Sequence, residues 1–165
     1  MLTVDDPGHF REVLSHFCSG VVVVTGVVDG APAGMTCQSF ASLSLDPPLV
    51  LFCPARSSTS WPVLSRAEVL CINVLSGDQQ QLSNGFARSG SDKFADVVWT
   101  PTPRGAPALD GAAAHLEVCV QDVFDGGDHQ IVTCQVVSLQ ARGDAEPLLY
   151  YRSGYRALGA QPQLV

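Results

Sequence analysis

No apolar run in the 165-residue sequence is long enough to cross a bilayer. The richest, "GVVVVTGVV", is interrupted at Thr25 and stops at Asp29, short of the ~20 residues a helical span needs. No cationic segment leads into an apolar one at the N-terminus, where Asp5 and Asp6 stand instead; a secretion signal is therefore not expected, and a cytoplasmic, membrane-free protein is. The six cysteines, at positions 18, 37, 53, 71, 119 and 134, form no CxxC pair and lie mostly in apolar stretches. That pattern reads as reduced, mostly buried thiols rather than a disulfide framework or a zinc site, and no metal is expected. A formal net charge of -7, with no basic stripe among aromatics, removes the usual basis for gripping nucleic acid. A few cations and backbone amides can still gather around one anionic ligand. No GxGxxG follows a strand, no Ser/His/Asp order stands out, and neither an internal repeat nor a disordered linker breaks the chain.

What is present is mainly strand. The length fits one domain over residues 1–165, enough to bury a core without covalent staples. "DDPGHFREVLSHF" places Phe10, Val13, Leu14 and Phe17 at helical spacing behind an Asp6 cap and Pro7, predicting a short amphipathic helix. Two β-rich runs flank "DGAP", a hairpin signal. "PPLVLFCP" predicts a strand buried on both faces. "SSTSWPVLSRA" and "SGDQQQLSNGFAR" predict helices, the second ending near Gly90, and "VLCINVL" a strand between them. "TPTPRGAPALDG" is too rich in proline and glycine to be regular. "AAAHLEVCVQDVF" and "HQIVTCQVVSLQA" predict a long hairpin, and "EPLLYYRSGYRAL" a last strand pair turning at Ser153-Gly154. So many short antiparallel strands with few helices predict a closed barrel, which removes exposed edges.

Three stretches carry candidate chemistry. In "GMTCQSFASLSLDPP", Thr36, Gln38, Ser39, Ser42 and Ser44 offer donors and acceptors suited to a polar heterocycle along a strand; strand alternation alone accounts for about half of them. In "CPARSSTSW", Arg56 precedes four hydroxyls at a predicted helix start, the combination a phosphate needs, although one hydroxyl is enough for plain capping. Lys93 and Arg88 are further cations, Arg88 being expected to face solvent. "GGDHQIV" puts two glycines, an acid and an imidazole in the long hairpin's turn, where a solvated histidine is the plain alternative. His9 and His16 are expected to face solvent, and His115 to be a satisfied structural histidine.

Taken in order, "FREVLSHFCSGVVVVT", "GMTCQSFASLSLDPPLVLFCP", "SSTSW", "CINVLSGDQQQLSNGFA", "DKF", "GDH" and "PLLYYRSGYRAL" resemble the short-chain flavin reductases that supply reduced flavin to two-component flavin-dependent monooxygenases. Nearest in pattern are the reductase partners of actinobacterial aromatic-ring and steroid-ring hydroxylases. The resemblance implies a split antiparallel β-barrel, mainly β with a few inserted helices, binding FMN or FAD as a homodimer with the flavin near the subunit interface. It implies NADH or NADPH as hydride donor, and an oxygenase component reached through diffusing reduced flavin. It assigns Thr36, Cys37, Gln38, Ser39, Ser42 and Leu43 to the isoalloxazine, with Cys53 and Pro54 flanking it. It assigns Ser58, Thr59, Ser60 and Trp61 to the ribityl phosphate, and Phe86, Lys93 and Phe94 to the rest of the pocket. His129 falls beside the nicotinamide as the candidate catalytic residue, aimed by Asp128, with Tyr151, Arg152, Ser153, Gly154 and Tyr155 opposite. Members commonly carry Ala-Asn where this chain has Cys37-Gln38, which changes the side-chain amide at that point. Two other readings of the same residues are a flavin-binding electron-transfer barrel without turnover and a flavin-dependent oxidase of a small molecule.

Overall fold

Alternate valines of the 21–24 run belong to different cores. Val22 and Val24 pack with Phe52, Leu70, Ile72, Val118 and Val132, whereas Val21 and Val23 pack with Leu75, Phe86, Leu109 and Leu148. A strand covered on both sides needs no polar alternation, and this is why the run is apolar throughout. Each such side chain contributes roughly 1.5–3 kcal/mol on burial.

The computed structural model describes residues 6–90 and 92–159; Asp5, and the outer ends of the expected 1–165 domain, lie outside them. In chain order the elements are α1 (Pro7–Leu14), β1 (Ser19–Gly20), β2 (Val22–Val28), β3 (Ala31–Cys37), β4 (Ala41–Leu45), β5 (Pro48–Phe52), α2 (Trp61–Leu64), β6 (Leu70–Val74), α3 (Gln80–Ala87), β7 (Trp99–Pro101), β8 (Pro107–Leu109), β9 (Ala114–Gly126), β10 (His129–Ala141), β11 (Leu149–Tyr151) and β12 (Gly154–Arg156). Seven strands, ordered β3-β2-β6-β9-β10-β5-β4 and antiparallel throughout, form the split barrel around the first core. A three-stranded sheet, β1-β11-β12, and the β7-β8 hairpin lie outside it. Among the described residues no helix is long and apolar enough to cross a membrane.

The "DGAP" hairpin forms as expected, Asp29 and Gly30 taking φ 52° and 79° in the turn type that Asp-Gly favours. Two expectations are corrected, one in β5 and one in the stretch before β9. β5 alternates instead of being buried on both faces, with Val50 and Phe52 inward and Leu49 and Leu51 partly exposed. The "TPTPRGAPALDG" stretch contains the β7-β8 hairpin, which short strands and prolines conceal and which distant side chains hold. Asn73 Oδ1 accepts from Leu109 N at 2.7 Å, Thr25 Oγ1 donates to Pro107 O at 2.5 Å, and the buried Glu117 takes bonds from Thr102 Oγ1 and Arg104 N. α1 is capped by Asp6 but buries none of its residues; Phe10, Val13 and Leu14 remain about half exposed, and Phe17 beyond it more so.

Cys37, Cys71 and Cys134 are buried, Cys53 and Cys119 half-buried and Cys18 exposed, and all six are free. Burial pushes the Cys71 and Cys134 thiols up to about 12, which leaves them unionised packing groups. His115 is satisfied structurally, with Nε2 2.8 Å from Leu109 O and Nδ1 3.2 Å from Gln140 Nε2. His9 is half-buried and His16 exposed.

Candidate functional site

The barrel's open rim is held by one hydroxyl. Ser39 Oγ accepts from Cys53 N at 2.9 Å and donates to Cys53 O at 3.0 Å, with Cys37 Sγ 3.0 Å away. The β3-β4 connection is thereby fixed to the end of β5. Burial, followed by the neighbouring Cys37, holds the Cys53 thiol above its ordinary range. Thr36 Oγ1 donates to Ser83 O at 2.6 Å and fastens β3 to α3.

Above this rim lies a cleft of about 520 Å³ lined by Thr36, Cys37, Gln38, Ser39, Cys53, Pro54, Ser58, Thr59, Ser60, Phe86, Lys93 and His129. Twelve residues of the sequence-derived set thus converge from five separate stretches. Met35, Ala55, Ser57, Ala87 and Ser89 complete the wall. Lys93, the chain's single lysine, reaches into it and donates to Gly34 O at 3.1 Å, Ser60 Oγ at 2.9 Å and Phe86 O at 2.9 Å. No carboxylate lies within ion-pair distance of it among the described residues, and burial lowers its pKa from the ordinary lysine value. A cation held by neutral acceptors beside four hydroxyls suits a phosphate monoanion or dianion.

Some expected members sit elsewhere. Ser42 and Leu43 lie on the exposed outer strand β4 at a register shift, away from the cleft. The Trp61 ring turns into the core, edge-on to Phe52 at 5.3 Å, with Nε1 donating to Gln130 Oε1; only its backbone N–H, bonded to Ser58 Oγ at 3.1 Å, meets the hydroxyl cluster. Phe94 packs behind Phe86 at 5.0 Å and lines a smaller hollow that shares Thr59, Ser60 and Lys93 with the cleft. Arg56, the cation expected at the hydroxyls, instead pairs with Asp125 and donates to Gly127 O at 2.9 Å. It stitches the 53–60 loop to the β9-β10 turn, with help from Arg56 N to Asp128 O at 2.9 Å and Gln130 N to Pro54 O at 3.0 Å. The helix at the hydroxyls, α2, is four residues long, so the hydroxyls and Lys93, not a helix end, supply the donors.

The β9-β10 turn is a two-residue loop with φ positive at Gly127 alone, at 75°, the arrangement that asks for glycine first. It presents His129, whose Nδ1 lies 2.6 Å from Asp128 Oδ1. The imidazole's hydrogen bond, and then its charge, hold the Asp128 carboxyl below the ordinary range.

A second cleft, of about 600 Å³, adjoins the first. It is lined by α1 and the segment after it, by Tyr150, Arg152 and Ser153 on the β11-β12 hairpin, and by Asp128. Gln38 and His129 belong to both clefts. Of the residues expected here, Arg152 and Ser153 are present. Tyr151 faces His16, Tyr155 hydrogen-bonds Ser83 and Asn84, and Gly154 pairs with Tyr151 within the hairpin. Strand alternation brings Tyr150 to the cleft in their place. The turn is shifted by one residue to Arg152-Ser153, because pairing Tyr150 with Tyr155 across the strands leaves Gly154 in β12.

A family profile described as "Flavin reductase like domain" matches residues 14–159. The reductase subunit HsaB of a flavin-dependent monooxygenase from Rhodococcus jostii is 46% identical over 153 residues, covering 93% of this chain and 78% of that protein. An FMN reductase (NADH) from Agrobacterium fabrum is 43% identical over 141 residues, covering 86% of this chain and 80% of that protein. The solved NADH:FAD oxidoreductase of Streptomyces globisporus, in complex with NAD and FAD fragments, superposes with a TM-score of 0.91 at 33% identity, covering 97% of each chain.

Proposed function

Since the chain belongs to the flavin reductase family, we infer that it is an NAD(P)H-dependent flavin reductase that reduces free FMN or FAD and supplies the reduced flavin to a partner monooxygenase. The observation that carries this reading is the meeting of two clefts at Gln38 and His129. One cleft has a heterocycle-sized polar wall ending in hydroxyls and a half-buried lysine, and the other carries arginines and aromatics. Two flat redox rings brought to one junction need little further help from the protein, because hydride transfer between nicotinamide and flavin is the cofactors' own chemistry.

The donor set fits a phosphorylated flavin. Gln38, Ser39 and the backbone about Cys53 would face the ring, whereas Ser58, Thr59, Ser60 and Lys93 would take the phosphate. Phe86, 1% exposed, closes the apolar side. Gly34 permits this, since a Cβ there would lie 2.5 Å from the Phe86 ring. His129, aimed by Asp128, would position the nicotinamide at the junction without itself being an obligatory acid or base. The Gln38 amide reaches both clefts, so the commoner asparagine's role falls to a side chain one methylene longer.

Two copies of the chain are proposed to pair. The outer parts of β9 and β10 expose Val120, Val123, Phe124 and Leu139, and β4 exposes Leu43 and Leu45, apolar surface that a homodimer would cover. Six free thiols suit the reducing cytoplasm as its place of work.

Mixing purified protein with NADH and FMN or FAD, and following the nicotinamide absorbance, tests the reading. Oxidation that depends on added flavin is expected. Stoichiometric flavin binding without NADH turnover would make the protein an electron-transfer module instead.

A further inference from the structure

We propose that Arg11 and Arg152 form a cationic clasp for the diphosphate bridge of the pyridine dinucleotide, making α1 a wall of that site. The inference rests on the reading of the chain as an NAD(P)H-dependent flavin reductase.

Both arginines line the second cleft and both are exposed. Among the described residues, neither has a carboxylate within ion-pair distance, whereas Arg56, Arg66 and Arg142 are engaged by Asp125, Asp29 and Asp144. The acid that lines the same cleft, Asp128, is committed to His129. In a chain of net charge -7, two arginines that line one cleft and have no ion-pair partner among the described residues favour an anion there.

The position fits a diphosphate rather than an isolated phosphate. Nicotinamide would occupy one end of the cleft, at Gln38 and His129. Phe10, Phe17 and Tyr150 also line the cleft and offer flat or apolar surface to a second aromatic base. The anionic bridge of a dinucleotide falls between its two ring systems, and the arginines are the cations available to it. The two supports are also tied together, since Arg152 N donates to Ser15 O at 3.0 Å. That bond fixes the end of α1 to the β11-β12 turn, so the two side chains spring from linked backbone. The exposure of α1's apolar face is then part of a binding wall and not a failure of packing.

Steady-state kinetics of Arg11→Gln and Arg152→Gln with two hydride donors tests this, using NADH and the phosphate-free 1-benzyl-1,4-dihydronicotinamide. Loss of one charge-assisted contact is expected to lower kcat/KM for NADH by about tenfold, mainly through KM, and to change it less than about twofold for the phosphate-free donor. Inorganic pyrophosphate is expected to compete with NADH in the parent protein and to lose that competition in both variants. Melting curves matching the parent's are expected, because neither side chain holds a structural partner. An unchanged KM for NADH, or an equal loss with both donors, would overturn the clasp while leaving the flavin reductase reading intact. Absence of flavin reduction by either donor in the parent protein would overturn both.

Discussion

Asp128 and His129 are sequence neighbours whose side chains bond each other, Oδ1 to Nδ1 at 2.6 Å, at the junction of the two clefts. With Nδ1 held by the carboxylate, the opposite edge of the ring is turned to whatever occupies the junction. His129→Ala is expected to lower the rate of NADH-dependent flavin reduction by on the order of tenfold to a hundredfold, and to leave flavin affinity within a factor of about two. Stopped-flow reduction alongside flavin titration separates the two effects. Equal losses in both would remove His129 from the nicotinamide side.

The same pair sets a pH expectation. The Asp128 carboxyl is depressed in the folded protein, so its contribution is fully present above the ordinary carboxylate pKa and is lost only as pH falls through the lower folded value. Alignment of His129 should therefore survive mild acid. Asp128→Asn, which accepts more weakly, should lower the reduction rate across that whole range with a smaller loss than His129→Ala, as pH profiles of the two variants would report.

Lys93 and Ser60 give a prediction about the other end of the flavin. Lys93→Met is expected to weaken FMN or FAD binding by about tenfold and riboflavin binding much less, as lost charge-assisted contacts require. Burial lowers the pKa of this lysine, so the unfolded chain holds the proton more tightly and folding stability gains as pH rises through the window between the lowered and ordinary values. Phosphate affinity moves oppositely, falling as Lys93 deprotonates. Flavin fluorescence titrations against pH should place that fall below the ordinary lysine range. Ser60 makes no capping bond, so Ser60→Ala should weaken phosphorylated flavins without a change in Tm. Ser58 caps Trp61 N, and its alanine variant should also lose about 1 kcal/mol of stability.

How much of this was legible in the sequence depends on how local each cause is. The Asp29-Gly30 turn, the long β9-β10 hairpin and the barrel class follow from neighbours in sequence. The β7-β8 hairpin does not, because Asn73, Thr25 and Glu117 hold it from far along the chain. Periodicity identified α1 but could not tell a face packed on a core from one lining a cleft. Tyr150 and Tyr151 differ only in which side of a three-residue strand they leave, and nothing local decides that. Arg56 looked like a phosphate ligand because it adjoins the hydroxyls, yet Asp125, across the fold, claims it. Lys93 stood out as a cation near the hydroxyls, whereas Phe86 was found through the family pattern; apolarity alone would have placed it in a core.

Gly34 tests the packing beneath the first cleft. A Cβ there would stand 2.5 and 2.7 Å from two atoms of the Phe86 ring, and that ring is wedged edge-on against Phe94 at 5.0 Å. Gly34→Ala should therefore push Phe86 outward, costing about 1–3 kcal/mol as overpacking does, and narrow the cleft. Lower Tm together with weaker flavin binding is expected. Unchanged flavin affinity in a folded variant would show that Phe86 does not bound the flavin.

Arg152 and Ser153 form the β11-β12 turn with φ of 48° and 59°, a left-handed pair for which glycine and asparagine are the usual occupants. Each non-glycine residue there costs roughly 1 kcal/mol, partly offset in any glycine variant by the greater freedom of the unfolded chain. Ser153→Gly should thus raise Tm by about 2 °C in a domain of this size, readable by calorimetry, with a smaller rise in KM for NADH than a lost arginine gives, since only a hydroxyl leaves the cleft. Arg152→Gly relieves the same backbone and should raise Tm similarly, but it also deletes a guanidinium from the second cleft, so KM for NADH should rise as in Arg152→Gln. A stability gain coupled to a binding loss that is larger at Arg152 than at its neighbour is what a strained residue kept for its side chain predicts. If both glycine variants left Tm unchanged, the turn would not be strained. If Arg152→Gly spared KM, the residue would not be held there by the dinucleotide.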